Sequence, residues 1–326
     1  GTNLVRFLLD KKEHEILNLD KITYAANRTI NKYFLSNDLY NFIKGDICDE
    51  ILIRNLLEEY KPDFVMNLAA ESHVDKSIIG PNDFIKTNIL GTSNLLNNVK
   101  DYWNKLCDQK KNSFRFHHIS TDEVYGSLSN NLLFDEKSRY DPSSPYAASK
   151  ASSDHLVRAW HKTFGLPILI SNCSNNYGPY QYPEKLIPLT ILNALKNKNL
   201  PVYGNGLQVR DWLHVEDHVR ALYKIITTGK IGETYNIGSN NQISNIKLVR
   251  QICDFLDSEI IDKPKGLNSY KELITYVKDR AGHDLCYGIN AEKIKKDLNW
   301  KPEINFQSGI ENTIKWYIKN KFLYIT

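Results

Sequence analysis

Two short stretches carry residue types that move protons. Ser120-Thr121-Asp122-Glu123-Val124-Tyr125-Gly126 is followed, a short loop later, by Tyr146-Ala147-Ala148-Ser149-Lys150. On a helix, Tyr146 and Lys150 stand one turn apart on the same face. An ammonium beside a phenol stabilises the phenolate and lowers its pKa from the free value of about 10. Such a pair is a base for removing a proton from an alcohol, with Lys150 depressing the Tyr146 pKa. Asp122 and Glu123 add an acid and a base at the same place. Oxidation plus dehydration of one sugar would use all of these groups at once.

The elements that must position them alternate. Strands are expected at 15–20, 41–45, 64–68, 114–120 and 166–172, and helices at 3–11, 50–60, 81–100 and 145–164. Strand-helix alternation predicts a doubly wound parallel sheet. Ligands bind such sheets at the carboxyl ends of the strands, where Asp20, Asp46, Leu68 to Ser72 and Thr121 to Glu123 fall. After Asn172 the pattern loosens, with turns at Tyr177-Gly178-Pro179 and Tyr203-Gly204-Asn205-Gly206 and helices at 186–196 and 245–256. The expected fold class is α/β. Residues 1–173 read as a Rossmann-like dinucleotide domain, and 174–326 as a smaller C-terminal α/β substrate-binding region interleaved with returns to the sheet.

Size and composition agree. A chain of 326 residues can bury a large core, and 25% charged with 41% hydrophobic residues is ordinary for a globular enzyme. A net charge of +4 without a basic cluster gives no footprint for nucleic acid. No apolar run reaches the roughly 18 residues of a membrane-spanning helix. The cysteines (Cys48, Cys107, Cys173, Cys253, Cys286) are odd in number and lack CxxC spacing, which fits a reduced, cytoplasmic protein and gives no metal cluster. His73, His117 and His118 read as structural rings near the cleft, and the five tryptophans as packing residues.

A dinucleotide fold normally opens with a strand and a glycine-rich turn. This chain opens on Gly1-Thr2-Asn3-Leu4, already at a helix start, with Asp20 about 20 residues on, where the ribose-binding acid belongs. Gly1 is therefore expected to be the last glycine of that fingerprint. The first strand and the other glycines would then lie outside the chain.

With these residues laid out, the chain resembles the dTDP-glucose 4,6-dehydratases, of the sugar epimerase/dehydratase group in the extended short-chain dehydrogenase/reductase family. The resemblance runs from Gly1 to about Tyr317. It rests on Asp20-Lys21-Ile22-Thr23-Tyr24-Ala25, Leu68-Ala69-Ala70-Glu71-Ser72-His73-Val74-Asp75, Phe116 to Gly126, Tyr146 to Lys150, Asn172 to Pro179 and Arg210-Asp211-Trp212. It implies NAD as cofactor, with Asp20 on the adenosine ribose beside Lys21 and Thr23. It places Asp46 and Ile47 at the adenine, and Leu68, Ala69, Ala70, Ser72, Thr87 and Asn176 along the cofactor cleft. Tyr146 would take the proton from the sugar 4-hydroxyl, and Lys150 would hold the nicotinamide ribose. Glu123 resembles the base at C5 and Asp122 the acid for the departing C6 hydroxyl. A raised pKa for Asp122 would follow from ionised Glu123 beside it. Thr121 would bond the sugar near its 4-oxygen.

For a nucleotide-diphosphate sugar, the resemblance implies Arg210 on the diphosphate. Ser72, Asn175, Glu184, Lys185, Asn245, Arg280, His283 and Asp284 would complete the site, with Tyr203 near the base. It also implies a homodimer, with stretches around 90–99 and 156–164 as the seam. Ala281, Leu285 and Cys286 depart from the family pattern, and the segment 127–139 is shorter than in many members. The same chemistry on a UDP-, CDP- or GDP-sugar is one alternative. An epimerase or decarboxylase is another, against which the adjacent Asp122 and Glu123 speak. A protein that binds nucleotide sugar or NAD without turnover is a third.

Overall fold

The computed structural model describes residues 1–26, 33–128 and 133–324. Part of the short 127–139 segment therefore lies outside the described residues. Helix α1 (Thr2–Lys11) buries Leu4, Val5 and Leu9 and stops at Lys12, which takes a left-handed conformation. It leads to β1 (Ile16–Asp20), which pairs in parallel with β2 (Tyr40–Lys44). Helix α2 (Glu50–Tyr60) starts where the Asp49 carboxylate accepts the Leu52 N–H. It precedes β3 (Phe64–Asn67) and the short α3 (Val74–Ile79).

The expected helix over 81–100 exists but is interrupted. A turn at Asn82–Phe84 runs into a π-helical stretch, Ile85–Gly91, before regular α4 (Thr92–Asn104). A π-bulge rotates the residues that follow it, and here it turns Asn88 inward. The Asn88 amide donates to the Glu71 carbonyl (3.0 Å) and to Ser149 Oγ (2.8 Å), and its oxygen accepts the Glu71 N–H (2.9 Å). One side chain thus joins the segment after β3 to the helix that carries Ser149.

Strand β4 (Arg115–Thr121) and β5 (Ile168–Cys173) flank α5 (Pro145–Phe164) in sequence. Helix α5 has a sharp start, because Ser144 Oγ accepts the Ala147 N–H and Pro145 occupies the first turn. It ends at Gly165 in the left-handed region, φ 74°. Next come β6 (Asn175–Tyr177), α6 (Leu186–Leu195), β7 (Leu200–Tyr203), β8 (Val209–His214) and α7 (Val215–Thr228). The chain then forms β9 (Thr234–Ile237), β10 (Gln242–Ser244), α8 (Asn245–Glu259), β11 (Ile274–Val277) and α9 (Phe306–Lys319).

The main sheet is parallel, in the order β3-β4-β5-β9. Successive residues of β5 show that both of its faces are covered. Ile168 and Ile170 enter a core with Ile53, Leu96, Val99 and Phe116, whereas Leu169 enters one with Leu222, Ile225, Ile237 and Trp300. Strand β9, far along the chain, returns to this sheet. A third core, built on Ile191, Val202, Leu248, Ile252, Ile310 and Ile314, belongs to later elements. It lies beside the small sheets β10-β8-β6 and β11-β7. Helices α7 and α9 go beyond the sequence reading, which has only turns and short pieces in those stretches. Their apolar faces meet two different cores, so their partners lie far off in sequence.

Candidate functional site

Strand β4 ends by delivering Thr121 into a tight turn, Asp122–Tyr125. The Thr121 hydroxyl accepts the Glu123 N–H (3.3 Å) and donates to Asp122 Oδ1 (3.3 Å). Gly126 leaves the turn at φ 81°, and a Cβ there would lie 2.3 Å from the Asp141 carbonyl, so the exit requires glycine. Tyr125 anchors the turn from beneath, its hydroxyl donating to Asn236 Oδ1 (2.8 Å) on β9.

Asp122 is 2% exposed, and its Oδ2 has no hydrogen-bond partner. Burial pushes its pKa well above the ordinary carboxylate range, with the charges of Glu123 and then Asp211 adding to the effect. The proton is retained as expected, but the dry environment contributes more than Glu123 does. Burial also raises Glu123, while Arg210, Lys185 and Arg280 oppose that rise. Three cations therefore favour ionised Glu123, and Arg210 acts only weakly to ionise Asp122.

Helix α5 holds Tyr146 and Lys150 in the cleft, at 8% and 3% exposure. The expected effect of Lys150 on Tyr146 is not found. Burial, Glu123 and Cys173 push the Tyr146 phenol well above its ordinary value, and the Thr121 hydroxyl is the group opposing them. The Lys150 ammonium instead donates to the Ile119 carbonyl (2.8 Å), 3.5 Å from His118 Nε2. In this structure Tyr146 holds its proton firmly.

On one side of these groups lie the residues expected at a dinucleotide. Asp20 ends β1 and accepts the Ile22 N–H (2.7 Å). Lys21 pairs with Asp46 (2.7 Å), whose other oxygen accepts the Cys48 N–H (3.0 Å), so these two hold each other at the strand ends. The Ile47 carbonyl accepts from Asn94 (2.7 Å). Thr23 follows in the loop, and its carbonyl accepts the Ala26 N–H (3.2 Å). Leu68, Ala69 and Ala70 follow β3, with the Ala69 N–H on Asn67 Oδ1 (3.3 Å). Thr87 lies in the π-helical stretch. A cavity of about 400 Å³ is lined by Gly1, Asp20, Leu68 and Asn176, among others. Asn176 Oδ1 is buried without a partner. An acid at the end of β1, small residues after β3 and an orphaned acceptor fit a dinucleotide.

On the other side the nucleotide-sugar candidates converge, largely paired with one another. Arg280 lies 3.7 Å from Asp75 and 3.0 Å from His283, whose Nδ1 lies 2.6 Å from Asp279. Tyr203 donates to Asp75 (3.2 Å). Glu184 meets Lys76 (3.6 Å), His73 (3.7 Å) and the Tyr24 hydroxyl (3.3 Å), so it is bound up with the segment after Asp20. Lys185 donates to the Ser72 carbonyl (2.7 Å). Arg210 donates to the Val209 and Asp284 carbonyls and stacks on Tyr287. Asn175 and Asn245 each carry a buried oxygen with no partner. Asp284 is paired with protein groups too. Its carboxylate accepts Ser143 Oγ (2.6 Å) and the Tyr287 hydroxyl, which makes it an anchor of the 280–284 loop. Tyr177, Tyr180 and Tyr182 pack on Phe306, Trp316 and Tyr24 respectively.

Comparison with known proteins decides the family. The sequence profile of GDP-mannose 4,6 dehydratase matches residues 1–313. The chain belongs to that dehydratase family. Among its relatives is the dTDP-glucose 4,6-dehydratase of Escherichia coli, 55% identical over 98% of this chain and 91% of the relative. The protein of the same description from Haemophilus influenzae is 52% identical over 98% and 95%. The crystal structure of the dTDP-glucose 4,6-dehydratase DesIV from Streptomyces venezuelae, with NAD and TYD bound, superposes with a TM-score of 0.89 at 38% identity. It covers all of this chain and 95% of that one. The dTDP-glucose 4,6-dehydratase of Bacillus anthracis in complex with NAD gives 0.86 at 41% identity, over 99% and 94%. Among the described residues no helix is long and apolar enough to cross a membrane.

Several residues of this dehydratase site escape sequence reasoning: Asn88, Tyr140, Asp154, Asp211 and Tyr287. Only Asp154 carried a signal, since it lies one turn beyond Lys150 on the same helical face.

Proposed function

We propose that this chain is an NAD-dependent hydro-lyase that converts dTDP-glucose to dTDP-4-dehydro-6-deoxy-glucose. One observation supports this reading most strongly. Two adjacent carboxyl groups, Asp122 and Glu123, share a dry cleft with Tyr146; burial pushes Asp122 well above the ordinary carboxylate range, whereas at Glu123 Arg210, Lys185 and Arg280 oppose the rise. Pairs pushed apart in this way divide acid and base roles.

Tyr146 takes the proton from the 4-hydroxyl, with Thr121 bonded beside it. NAD bound beside these groups would supply the hydride acceptor for C4 and the hydride donor for C6. The 4-keto group makes the C5 hydrogen acidic, and Glu123 removes it. Asp122 protonates the departing C6 hydroxyl, so water leaves. Glu123 then returns its proton to C5 as C6 is reduced. Tyr146 is then left with the proton of the 4-hydroxyl and Asp122 without the one lost in water, and passing that proton from Tyr146 to Asp122 returns both groups to their starting states.

Tyr146 has to lose a proton that burial and its neighbours Glu123 and Cys173 hold tightly. A bound ribose hydroxyl at Lys150 would bring that ammonium to bear on the phenol. We assign Asp20, Lys21, Thr23, Asp46 and Ile47 to the adenosine, and Leu68 to Ser72, Thr87 and Asn176 to the rest of the cofactor. Arg210, Arg280, His283, Lys185, Glu184, Asn175 and Asn245 take the nucleotide-diphosphate sugar, with Tyr203 at the base. Residues 1–173 form the cofactor domain and 174–326 the sugar-nucleotide region. The exposed Ile85, Leu90 and Phe164 support a homodimer seam along the π-helical stretch and α5. The five free cysteines support the cytoplasm.

The test is turnover of dTDP-glucose with NAD, followed by the alkali-induced absorbance of the 4-keto-6-deoxy product, with UDP-glucose in parallel. Product from dTDP-glucose at much higher kcat/KM is expected. Product mainly from UDP-glucose overturns the nucleotide, and product from neither overturns the reaction.

A further inference from the structure

The face of α5 that carries Tyr146 and Lys150 continues, at steps of four, with Asp154 and Arg158. Asp154 is fully buried. Between Asp154 and Lys150 sits the ring of His118, reaching in from β4. Its Nε2 lies 3.5 Å from Lys150 Nζ and 3.4 Å from Asp154 Oδ1. The Asn67 amide donates to the opposite nitrogen, Nδ1 (3.2 Å), so the neutral ring carries its proton on Nε2, between the ammonium and the carboxylate. Ser153 Oγ is 3.1 Å from the same Nε2.

Asp154 is held from behind. Its Oδ2 accepts the Tyr140 hydroxyl (2.9 Å), which itself accepts from Arg158 (2.7 Å) and from Asn172 (3.2 Å). Its Oδ1 makes no hydrogen bond, which leaves that oxygen facing the His118 ring. Nothing in the dehydration scheme uses this carboxylate, yet a bare buried charge costs several kcal/mol.

The titratable groups acting on Lys150 come from each element packed around it: Asp154 on α5, His118 on β4 and Cys173 on β5. Arg158 and Tyr140 act on Asp154 from the far side. Burial lowers the Lys150 pKa, and Asp154 is the foremost group opposing that fall. Burial and the Lys150 charge bring His118 down to about 4, so the ring is neutral. Burial pushes the Cys173 thiol up to about 12, so it is neutral too. Among the described residues, Asp154 is thus the anion in this set.

We propose that Asp154 is a positioning residue for proton transfer at C4: its buried carboxylate, one imidazole away from Lys150, keeps that ammonium charged in a dry cleft. Asp154 touches neither sugar nor cofactor and acts through Lys150. His118 is the neutral spacer that lets carboxylate and ammonium act on each other without collapsing into a contact pair, which would draw the ammonium away from the cleft. This assignment rests on the reading of Tyr146 and Lys150 as the base pair of the dehydratase.

The test reads the lysine directly. Full-length protein with NAD bound, labelled with 13C and 15N in lysine, is titrated by NMR, and the Lys150 signal is assigned by its loss in Lys150→Met. In Asp154→Asn the Lys150 titration is expected to move down by about one pH unit or more, a tenfold or larger change in its protonation constant. In Asp154→Glu it stays near the wild-type value. Turnover of dTDP-glucose follows the same order, with kcat falling and KM little changed. If Asp154→Asn does not fold, the size-matched pair Asp154→Glu and Asp154→Gln compares charge at constant shape. Equal Lys150 titration with and without the charge overturns the proposal. Wild-type protein inactive on dTDP-glucose would overturn the dehydratase reading instead, and the NMR titration would still report on Asp154.

Discussion

Asp122 and Asp154 are both carboxylates with almost no exposure, 2% and 0%, on opposite sides of the Tyr146–Lys150 pair, yet the fold drives them in opposite directions. At Asp122 burial wins. One oxygen has no partner, two further anions stand nearby, and the proton stays on. At Asp154 burial would raise the pKa as well, but the His118 ring 3.4 Å away, with the charges of Lys150 and Arg158, holds it below the ordinary range. Depth alone therefore does not set the charge of a buried acid. The number and sign of its partners do. The front of the cleft keeps a proton to give away, and the back keeps a charge to hold a neighbour in place.

The largest break in this comparison is chemical. Asp122→Asn should lower kcat on dTDP-glucose about 10²–10³-fold, as expected for loss of a general acid. Oxidation at C4 should survive, so rapid quenching of a single turnover should reveal dTDP-4-keto-glucose that has not lost water. Unchanged dehydration would remove Asp122 from the acid role.

Stability should order the two acids the other way. Asp154→Asn leaves Lys150 and Arg158 without a buried counter-charge and should cost about 3 kcal/mol in a denaturant titration. Asp122→Asn removes a buried carboxyl with one unpaired oxygen and should be neutral or stabilising by about 1 kcal/mol. The pH dependence carries the same signs. The folded pKa of Asp154 is depressed, so its contribution is present above its unfolded value and is lost as pH falls through the folded one. The folded pKa of Asp122 is raised, so its contribution is present at low pH and is lost as pH rises through the folded value. Equal destabilisation by both Asn variants would erase the contrast.

Activity adds a third handle. Glu123 works ionised, so kcat should fall as pH drops through its raised pKa. Arg210 is the foremost charge opposing that rise. In Arg210→Gln the acid limb should therefore move up by about one pH unit, and an unmoved limb would show that Arg210 acts only on substrate. The smallest effect is expected at Tyr140→Phe, which removes one hydrogen bond to Asp154 but leaves its charge. About 1 kcal/mol of stability should be lost, with kcat within about threefold of wild type.

How much of this was legible differs by layer. The strand ends that carry Asp20, Leu68 and Thr121 could be read from alternation, because central strands covered on both faces are short apolar runs bounded by turns. The helix bearing Tyr146 and Lys150 could be placed by its proline and glycine punctuation. The helices at 215–228 and 306–319 were less legible, since their apolar faces answer to cores assembled from distant segments. The π-helical stretch was invisible. Its sequence reads as an ordinary helix, and the bonds of Asn88 to Glu71 and Ser149 are tertiary contacts that no local spacing contains.

The sequence by itself determined which groups are near one another along the chain: Asp122 beside Glu123, Tyr146 one turn before Lys150, Asp154 one turn after. Local spacing on a strand end or a helix face is enough for that. Tertiary structure alone decided which of them are charged. The proton on Asp122, the tightly held proton of Tyr146 and the neutrality of His118 follow from burial and from partners brought in by other strands and loops. Those are sums over neighbours in space, and no spacing along one segment contains them.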